Sequence, residues 1–198
     1  MSFKRLAMTV VFGASMVLPA AFAQDESGYR SDAAVQATGS FVRTTDENGV
    51  QQSATHSGGV LGSYRLYFHR NHGVEFDYGY SLNTQKFATG GTTAAFKTHV
   101  NEATAAYVLR FPGRRVTPFA LAGAGALVFD LQNGGEMQAR PAFVYGAGVD
   151  WNVSSRMFVR AQYRGQVYNS PDFGVASLNA AERISHRAQP SVGFGFRF

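Results

Sequence analysis

The sequence predicts an all-β fold: an eight-stranded, antiparallel, up-and-down β-barrel that crosses a membrane. Three observations support this prediction. Eight segments alternate large apolar residues with small or polar ones, which is the period of a β-strand. The chain holds 17 phenylalanines and 9 tyrosines, yet beyond its N-terminal segment no apolar run approaches the ~20 residues of a transmembrane helix. The connections between the eight segments include both short turns and long loops.

The first 23 residues are interpreted as a cleaved secretory signal peptide. The charged pair Lys4 and Arg5 precedes an apolar stretch over 6–18, which is followed by a small-residue cleavage pattern. This stretch is too short to span a membrane. We therefore expect one mature barrel domain over residues 24–198, a length of about 175 residues.

The composition excludes several classes of protein. Without the two basic residues of the signal peptide, 16 Lys and Arg oppose 13 Asp and Glu, and the mature net charge of +3 forms no basic stripe of the kind that binds nucleic acid. The absence of cysteine excludes disulfides. Glycine motifs such as "GAGAL" are not followed by a helical pattern, and the histidines lack metal-ligand spacing. We therefore expect no cofactor, no metal and no nucleic acid.

The first four predicted strands lie near residues 34–43, 59–68, 74–82 and 97–111. The third is the clearest, because five large apolar residues alternate there with two carboxylates, a glycine and a serine. The residues predicted to face outward in these strands are Val35, Ala37, Phe41, Val60, Tyr64, Leu66, Phe68, Val74, Phe76, Tyr78, Tyr80, Leu82, Ala103, Ala105, Tyr107 and Leu109.

The last four predicted strands lie near residues 117–130, 143–151, 157–167 and 190–198. In the fifth strand the outward face is assigned to the larger residues, so its alanines are predicted to face inward. The residues predicted to face outward in these strands are Phe119, Leu121, Leu127, Phe129, Phe143, Tyr145, Ala147, Val149, Trp151, Met157, Val159, Ala161, Tyr163, Val167, Val192, Phe194, Phe196 and Phe198.

These two faces are reversed relative to a water-soluble protein, and this argues against a secreted soluble barrel with a ligand in its cup. The mature chain has only two lysines, Lys86 and Lys97, both near predicted loops. A closed barrel with lipid outside and a narrow polar lumen accounts for the pattern. The short connections "HRNHG", "PGRR" and "NVSS" alternate with four long polar ones, which predicts periplasmic turns, extracellular loops and two periplasmic termini.

The final strand explains why an alternating pattern continues to the last residue. It must pair with the first strand to remove the open edges of the sheet. Its ending, Phe196-Arg197-Phe198, resembles the C-terminal assembly signal of outer membrane barrels. In length, strand count and terminus the mature chain resembles the OmpA-like and OmpX-like family of small eight-stranded outer membrane barrels.

This resemblance implies a place in the outer membrane of a Gram-negative bacterium. It also implies contact with outer membrane lipids and lipopolysaccharide, and recognition by the barrel assembly machinery. The peptidoglycan-binding domain that follows the barrel in larger members of the family is expected to be absent.

Charged residues on the inward register predict a paired network in the lumen. Unpaired charges in so narrow a space would be costly, so we expect each to have a partner, with Arg65 and Asp77 as cross-strand neighbours. The predicted network consists of Arg65, Glu75, Asp77, Glu102, Asp150, Arg160, Arg164 and Arg197. A plugged lumen is the favoured interpretation because eight strands leave room only for side chains. A gated or selective pore is the alternative.

Two further features lie on the outward register. Tyr107, Phe119 and Trp151 fall near the periplasmic ends of their strands, which predicts aromatic residues at the membrane interface. His99 falls toward the extracellular side, and the other histidines fall in turns or loops. Lipid A deacylases of this architecture use an outer-wall His-x-Ser pair, but here Asn101 occupies the serine position.

The sequence therefore predicts a non-enzymatic outer membrane barrel that acts in envelope structure or in surface interaction through four extracellular loops. A narrow passive pore for ions or small solutes and a lipid A-modifying enzyme with an unusual site at His99 remain the alternatives. The loop sequences are polar and glycine-rich, and they identify no partner.

Overall fold

The computed structural model describes residues 31–42, 45–47, 50–54, 57–89, 92–131, 137–169 and 184–198, and the predicted signal peptide lies outside these residues. Ten strands are formed, eight of which build the barrel. Their bounds are β1 Ser31–Val42, β2 Thr45–Glu47, β3 Val50–Ala54, β4 Ser57–His69, β5 His72–Thr89, β6 Thr92–Arg110, β7 Val116–Leu131, β8 Gln138–Asn152, β9 Met157–Asn169 and β10 Ile184–Arg197.

The eight long strands form a closed antiparallel barrel, as predicted. Each long strand pairs with the long strand that follows it in the chain, and β1 pairs with β10 to complete the ring. The two short strands β2 and β3 form a hairpin, and β3 pairs with the far part of β5. Within the described part of the chain no helix is long and apolar enough to cross a membrane.

The two ends of the barrel differ. One end, here called the short-turn end, holds the turns at 70–71, 111–115 and 153–156 together with the start of β1 and the end of β10. The opposite end is here called the loop end. β5 and β6 extend farther toward the loop end than predicted, so most of the predicted loop over 83–96 continues their hairpin.

The contact between β1 and β10 extends to the end of the chain. Asp32 lies opposite Arg197 in the register, and the Phe198 N–H donates to the Ser31 carbonyl at 2.9 Å. The backbone groups of both terminal strands are therefore paired, and no open sheet edge is left between them.

Seven of the eight barrel strands present the outward faces that the alternation predicts. In β5, for example, Phe76, Tyr78 and Tyr80 are exposed, whereas Glu75 and Asp77 are buried in the interior. The apolar residues on the exterior surface and the charges inside reproduce the reversed pattern read from the sequence.

The orientation predicted for the fifth strand, β7, is wrong. Phe119, Leu121, Leu127 and Phe129 point into the barrel and are buried, while the alternate alanines form the exterior face. Both faces of this strand are apolar, so alternation identified two faces without telling which one is inside. Gly148 has no side chain to fill the interior beside it, and the Phe119 ring occupies this space. A Cβ added at Gly148 would lie 2.6 Å from Phe119 Cζ. A large inward side chain therefore fills a space that small residues leave.

Candidate functional site: the barrel interior

The interior has an apolar wall and a polar wall. The inward residues of β6, β7 and β8 are mostly apolar and form two buried groups. One comprises Val100, Leu127, Phe129, Ala142 and Tyr168, the last from β9, and the other comprises Ala106, Val108, Phe119, Leu121 and Val144. The remaining strands contribute mainly charged and amide side chains. The buried charges therefore come mainly from the polar wall, and Glu102 of β6 and Asp150 of β8 are the carboxylates that the apolar wall adds.

Five buried charged residues form a lower cluster near the short-turn end: Asp32, Arg65, Glu75, Asp150 and Arg160. Arg160 donates from Nε and Nη2 to the two oxygens of Asp150 at 2.7 and 3.0 Å, a bidentate pair. It also donates from Nη2 to Asp32 Oδ1 at 3.0 Å. Arg65 donates from Nε to Glu75, and its Nη1 lies 3.5 Å from Asp150 Oδ2. Each arginine thus contacts more than one carboxylate.

Aromatic rings support the lower cluster. The guanidinium carbon of Arg65 lies 3.9 Å from the centre of the Phe119 ring, and that of Arg160 lies 4.8 Å from the centre of the Phe158 ring. Phe119, predicted as an interfacial aromatic residue, is therefore an interior residue that stacks on an arginine. Tyr67 donates its hydroxyl to Asp32 Oδ2 at 2.7 Å.

A second group, the upper cluster, lies nearer the loop end and contains Asp77, Glu102, Arg164 and Arg187. Arg164 Nη2 lies 3.1 Å from Asp77 Oδ2, and Arg164 Nη1 donates to Glu102 Oε1 at 2.9 Å. Arg187 Nη1 donates to Glu102 Oε2 at 3.1 Å. Gly125 of β7 lies opposite Thr104 in the register, and a Cβ added there would lie 2.6 Å from Thr104 Cγ2. Arg164 Nη2 donates to Thr104 Oγ1 at 2.6 Å.

Glu102 is the most connected carboxylate of the upper cluster. Besides the two arginines, Gln166 Nε2 and Gln189 Nε2 donate to its Oε2 at 3.1 and 2.9 Å. Four donors from β9 and β10 thus converge on one side chain of β6, across the width of the barrel. Because the cost of burying a carboxylate falls as its oxygens gain donors, this convergence explains how a charge is tolerated there.

The predicted neighbour of Arg65 is wrong. Arg65 lies opposite Glu75, whereas Asp77 lies opposite Ser63. The register shifts at an irregularity between Tyr67 and His69, next to the turn at 70–71, and simple counting from the turn does not detect such a shift. Asp77 instead contacts Arg164 across the lumen.

Arg197, predicted in the charged network, has a different partner. Its Nη2 donates to Asn152 Oδ1 at 2.7 Å, and its guanidinium carbon lies 4.7 Å from the centre of the Phe158 ring. Arg110 lies similarly over Tyr67, at 3.5 Å from the ring centre. These two arginines cover the interior at the short-turn end.

Sequence reasoning missed two interior charges, Asp32 and Arg187. Both lie on the inward register, but Asp32 comes two residues before the first predicted strand and Arg187 three residues before the last one. Extending the alternation backward along each strand identifies them. With both included, the fully buried charges of the described interior are four arginines and five carboxylates.

Several buried polar atoms of the two clusters lack hydrogen-bond partners within the described residues, among them Glu75 Oε1, Asp77 Oδ1, Arg65 Nη1 and Nη2, and Arg164 Nε. Both polar atoms of the Gln162 amide also lack a partner there. Gln162 lies between Arg160 and Arg164 on the inward face of β9. Since these arginines reach Glu75 and Asp77 respectively, Gln162 lies at the level between the two clusters.

The exterior carries three pairs of tyrosine and histidine. The hydroxyl of Tyr80 is hydrogen-bonded to His99 Nδ1, and that of Tyr107 to His72 Nδ1. The Tyr145 hydroxyl is 2.7 Å from His186 Nε2, which it reaches by crossing Gly165 of the intervening strand β9. His69, His72 and His186 were predicted in turns or loops but belong to β4, β5 and β10, and His56 lies outside the described residues. Tyr107 and Trp151 are exposed near the short-turn end, and so are Phe196 and Phe198.

His99 has no serine among its cross-strand neighbours in the described residues. It lies opposite Leu82 on one side and Asp130 on the other, and Asn101 follows two residues later on the same face. Among the described residues no group of three or more His, Cys, Asp or Glu side chains is arranged to hold a metal ion.

Comparisons with known proteins agree with this architecture. Residues 7–198 match the family model described as "Outer membrane protein beta-barrel domain". A search of curated proteins finds no match. Among solved structures, the chain is similar to the outer membrane protein OprG from Pseudomonas aeruginosa, at 14% identity and a TM-score of 0.61, over 88% of this chain and 99% of that one.

Two further solved structures show the same fold. Neisserial surface protein A is 12% identical with a TM-score of 0.62, over 87% of this chain and 100% of that one. Ail, the attachment invasion locus protein of Yersinia pestis, is 18% identical with a TM-score of 0.53, again over 87% and 100%.

Proposed function

The chain belongs to the family of outer membrane protein β-barrel domains, and on that premise we propose that it is a non-enzymatic barrel with a plugged, charge-paired lumen. Its role is in envelope structure or in surface interaction through the four connections of the loop end. Both termini lie in the periplasm, after removal of residues 1–23 as a signal peptide. Its surroundings are outer membrane lipids and lipopolysaccharide, and the assembly machinery recognises Phe196 and Phe198.

The observation that carries the proposal is the filling of the lumen. Each of the four buried arginines contacts at least one buried carboxylate on a strand that is not its neighbour, so these ion pairs cross the lumen. Buried apolar side chains, mainly from β6, β7 and β8, line the other side of the interior. An eight-stranded barrel is only wide enough for its side chains, so an interior packed in this way supports a plug.

The surroundings of His99 support the non-enzymatic assignment. A histidine that activates a nucleophile must be within hydrogen-bond reach of it. The Nδ1 atom of His99 is hydrogen-bonded to a tyrosine hydroxyl, and the described residues beside it supply no serine.

Single-channel recording of the refolded mature protein, residues 24–198, tests the plug. Insertion into a planar bilayer is verified with a preparation whose folded state is confirmed by its heat-dependent gel shift. We expect no discrete openings. Steady openings whose conductance changes in Glu102→Gln, but not in the exterior control Asp130→Asn, would replace the plug with an ion-conducting pore.

A further inference from the structure

We infer that the short-turn end is a docking surface for anionic phospholipid headgroups, which four exposed arginines bind. These residues are Arg70, Arg114, Arg115 and Arg156, here called the arginine collar. The inference goes beyond the proposed function. The choice of leaflet and the mature N-terminus rest on it, because periplasmic termini place the collar at the inner leaflet of the outer membrane.

The charges at the short-turn end are strongly one-sided. Every charged residue of the turns at 70–71, 111–115 and 153–156 is an arginine. The carboxylates nearest this end, Asp32 and Asp150, are buried and paired with Arg160. The mature segment before β1 adds Asp25, Glu26 and Arg30, a net charge of −1 against the +4 of the collar.

The collar guanidiniums are available for a ligand. All four residues are exposed, and no ion pair joins them to a carboxylate within the described residues. The arginines that do have partners at this end, Arg110 and Arg197, are held against aromatic rings instead. Guanidiniums without ion-pair partners, on turns that hold no carboxylate side chain, create a positive potential that attracts anions.

Hydrogen bonds between neighbouring turns fix the positions from which the collar side chains extend. Arg110 Nε donates to the Arg70 carbonyl at 2.8 Å, and the Arg197 N–H donates to the Arg156 carbonyl at 2.8 Å. Asn152 Nδ2 donates to the Arg114 carbonyl at 3.2 Å, and its N–H donates to the Arg115 carbonyl at 2.8 Å. A surface with a fixed backbone loses less entropy on binding than a flexible one.

Apolar and aromatic side chains surround the barrel just inside the collar. This exposed belt comprises Phe68, Tyr107, Phe111, Trp151, Val153, Met157, Phe196 and Phe198. Such a belt lies at the boundary between hydrocarbon and headgroups. The collar is therefore at the depth of lipid phosphates, and arginine pairs with phosphate oxygens through two parallel N–H bonds.

The single tryptophan of the chain, Trp151, reports on lipid at this end. Mature protein is refolded into vesicles of phosphatidylcholine and phosphatidylglycerol in which one lipid or the other is brominated. Quenching of Trp151 then gives the relative association of each lipid with the surrounding belt. We expect phosphatidylglycerol to be preferred about fivefold at low salt, and the preference to fall as salt is added.

The collar variant Arg70→Gln/Arg114→Gln/Arg115→Gln/Arg156→Gln is expected to lose this preference. The matched control, Arg43→Gln/Lys86→Gln/Lys97→Gln/Arg183→Gln, removes four charges elsewhere and should keep it. Equal quenching of the wild type by both lipids overturns the inference, as does equal loss in both variants. If the collar variant does not give a heat-dependent gel shift, Arg114→Gln/Arg115→Gln replaces it under the same criteria.

Discussion

Arg65 and Phe119 face each other inside the barrel, with the guanidinium carbon 3.9 Å from the centre of the phenyl ring. The contact joins the polar wall to the apolar wall. It also means that a residue with the sequence character of a membrane-facing aromatic supports an ion-pair cluster.

Phe119→Ala is expected to destabilise the barrel by about 3–5 kcal/mol, because it leaves a cavity beneath Arg65. Urea unfolding of the refolded protein measures the change. Phe119→Leu, which restores part of the volume, should recover part of the loss. A change under about 1 kcal/mol for the alanine variant would contradict the interior position of Phe119.

Glu102→Ala is expected to cost about 3–5 kcal/mol, since it leaves Arg164 and Arg187 buried without a shared carboxylate. The exterior variant Asp130→Ala serves as the control and should change the free energy of unfolding by no more than about 0.5 kcal/mol. Equal unfolding midpoints for the two variants would show that the upper cluster contributes nothing to stability.

Two glutamines on the inward face of β9 provide a matched pair. Gln166 donates to Glu102 and accepts from Arg187 Nη1 at 3.2 Å, whereas neither polar atom of Gln162 has a partner in the described interior. Gln166→Leu should therefore destabilise the protein by about 1–3 kcal/mol, and Gln162→Leu should be neutral or stabilising. Chemical denaturation measures the free energy of unfolding of both variants. A larger loss of stability in Gln162→Leu than in Gln166→Leu would contradict this prediction.

Gly165→Ala is expected to displace the Tyr145 ring, because an added Cβ would lie 2.4 Å from Tyr145 Cζ. The displacement breaks the hydrogen bond to His186 and should lower stability by about 1 kcal/mol. In a Tyr145→Ala background the same glycine substitution should have almost no further effect. A double-mutant cycle measures this coupling, and additive losses of stability in the double variant would rule it out.

The fold was predictable because its main signal has a period of two. In seven strands a large apolar face opposes a small or charged one, and lipid outside with a narrow lumen inside leaves one orientation for each. The orientation of β7 was not predictable in this way. One of its faces carries leucine and phenylalanine and the other carries alanine, so both faces are apolar. Only the space beside Gly148 and the contact with Arg65 decide its orientation.

The interior charges were predictable by type but not by partner. Alternation identifies which arginines and carboxylates point inward. Asp32 and Arg187 were not identified only because their strands begin earlier than predicted. Pairing depends on register and on reach across the lumen. The irregularity near Tyr67 places Arg65 opposite Glu75, and the length of Arg164 carries its charge to Asp77 on the far side.

The pairing of β1 with β10 has a consequence for the order of folding. Ser191 Oγ donates to Gln36 Oε1 at 2.9 Å across 155 positions of the sequence, and the whole β1–β10 contact is of this kind. Contacts this distant carry a large loop-closure entropy, so they form after the hairpins between neighbouring strands. Before that final step the sheet is an open ribbon with two unpaired edges, the form most exposed to misassembly with another chain.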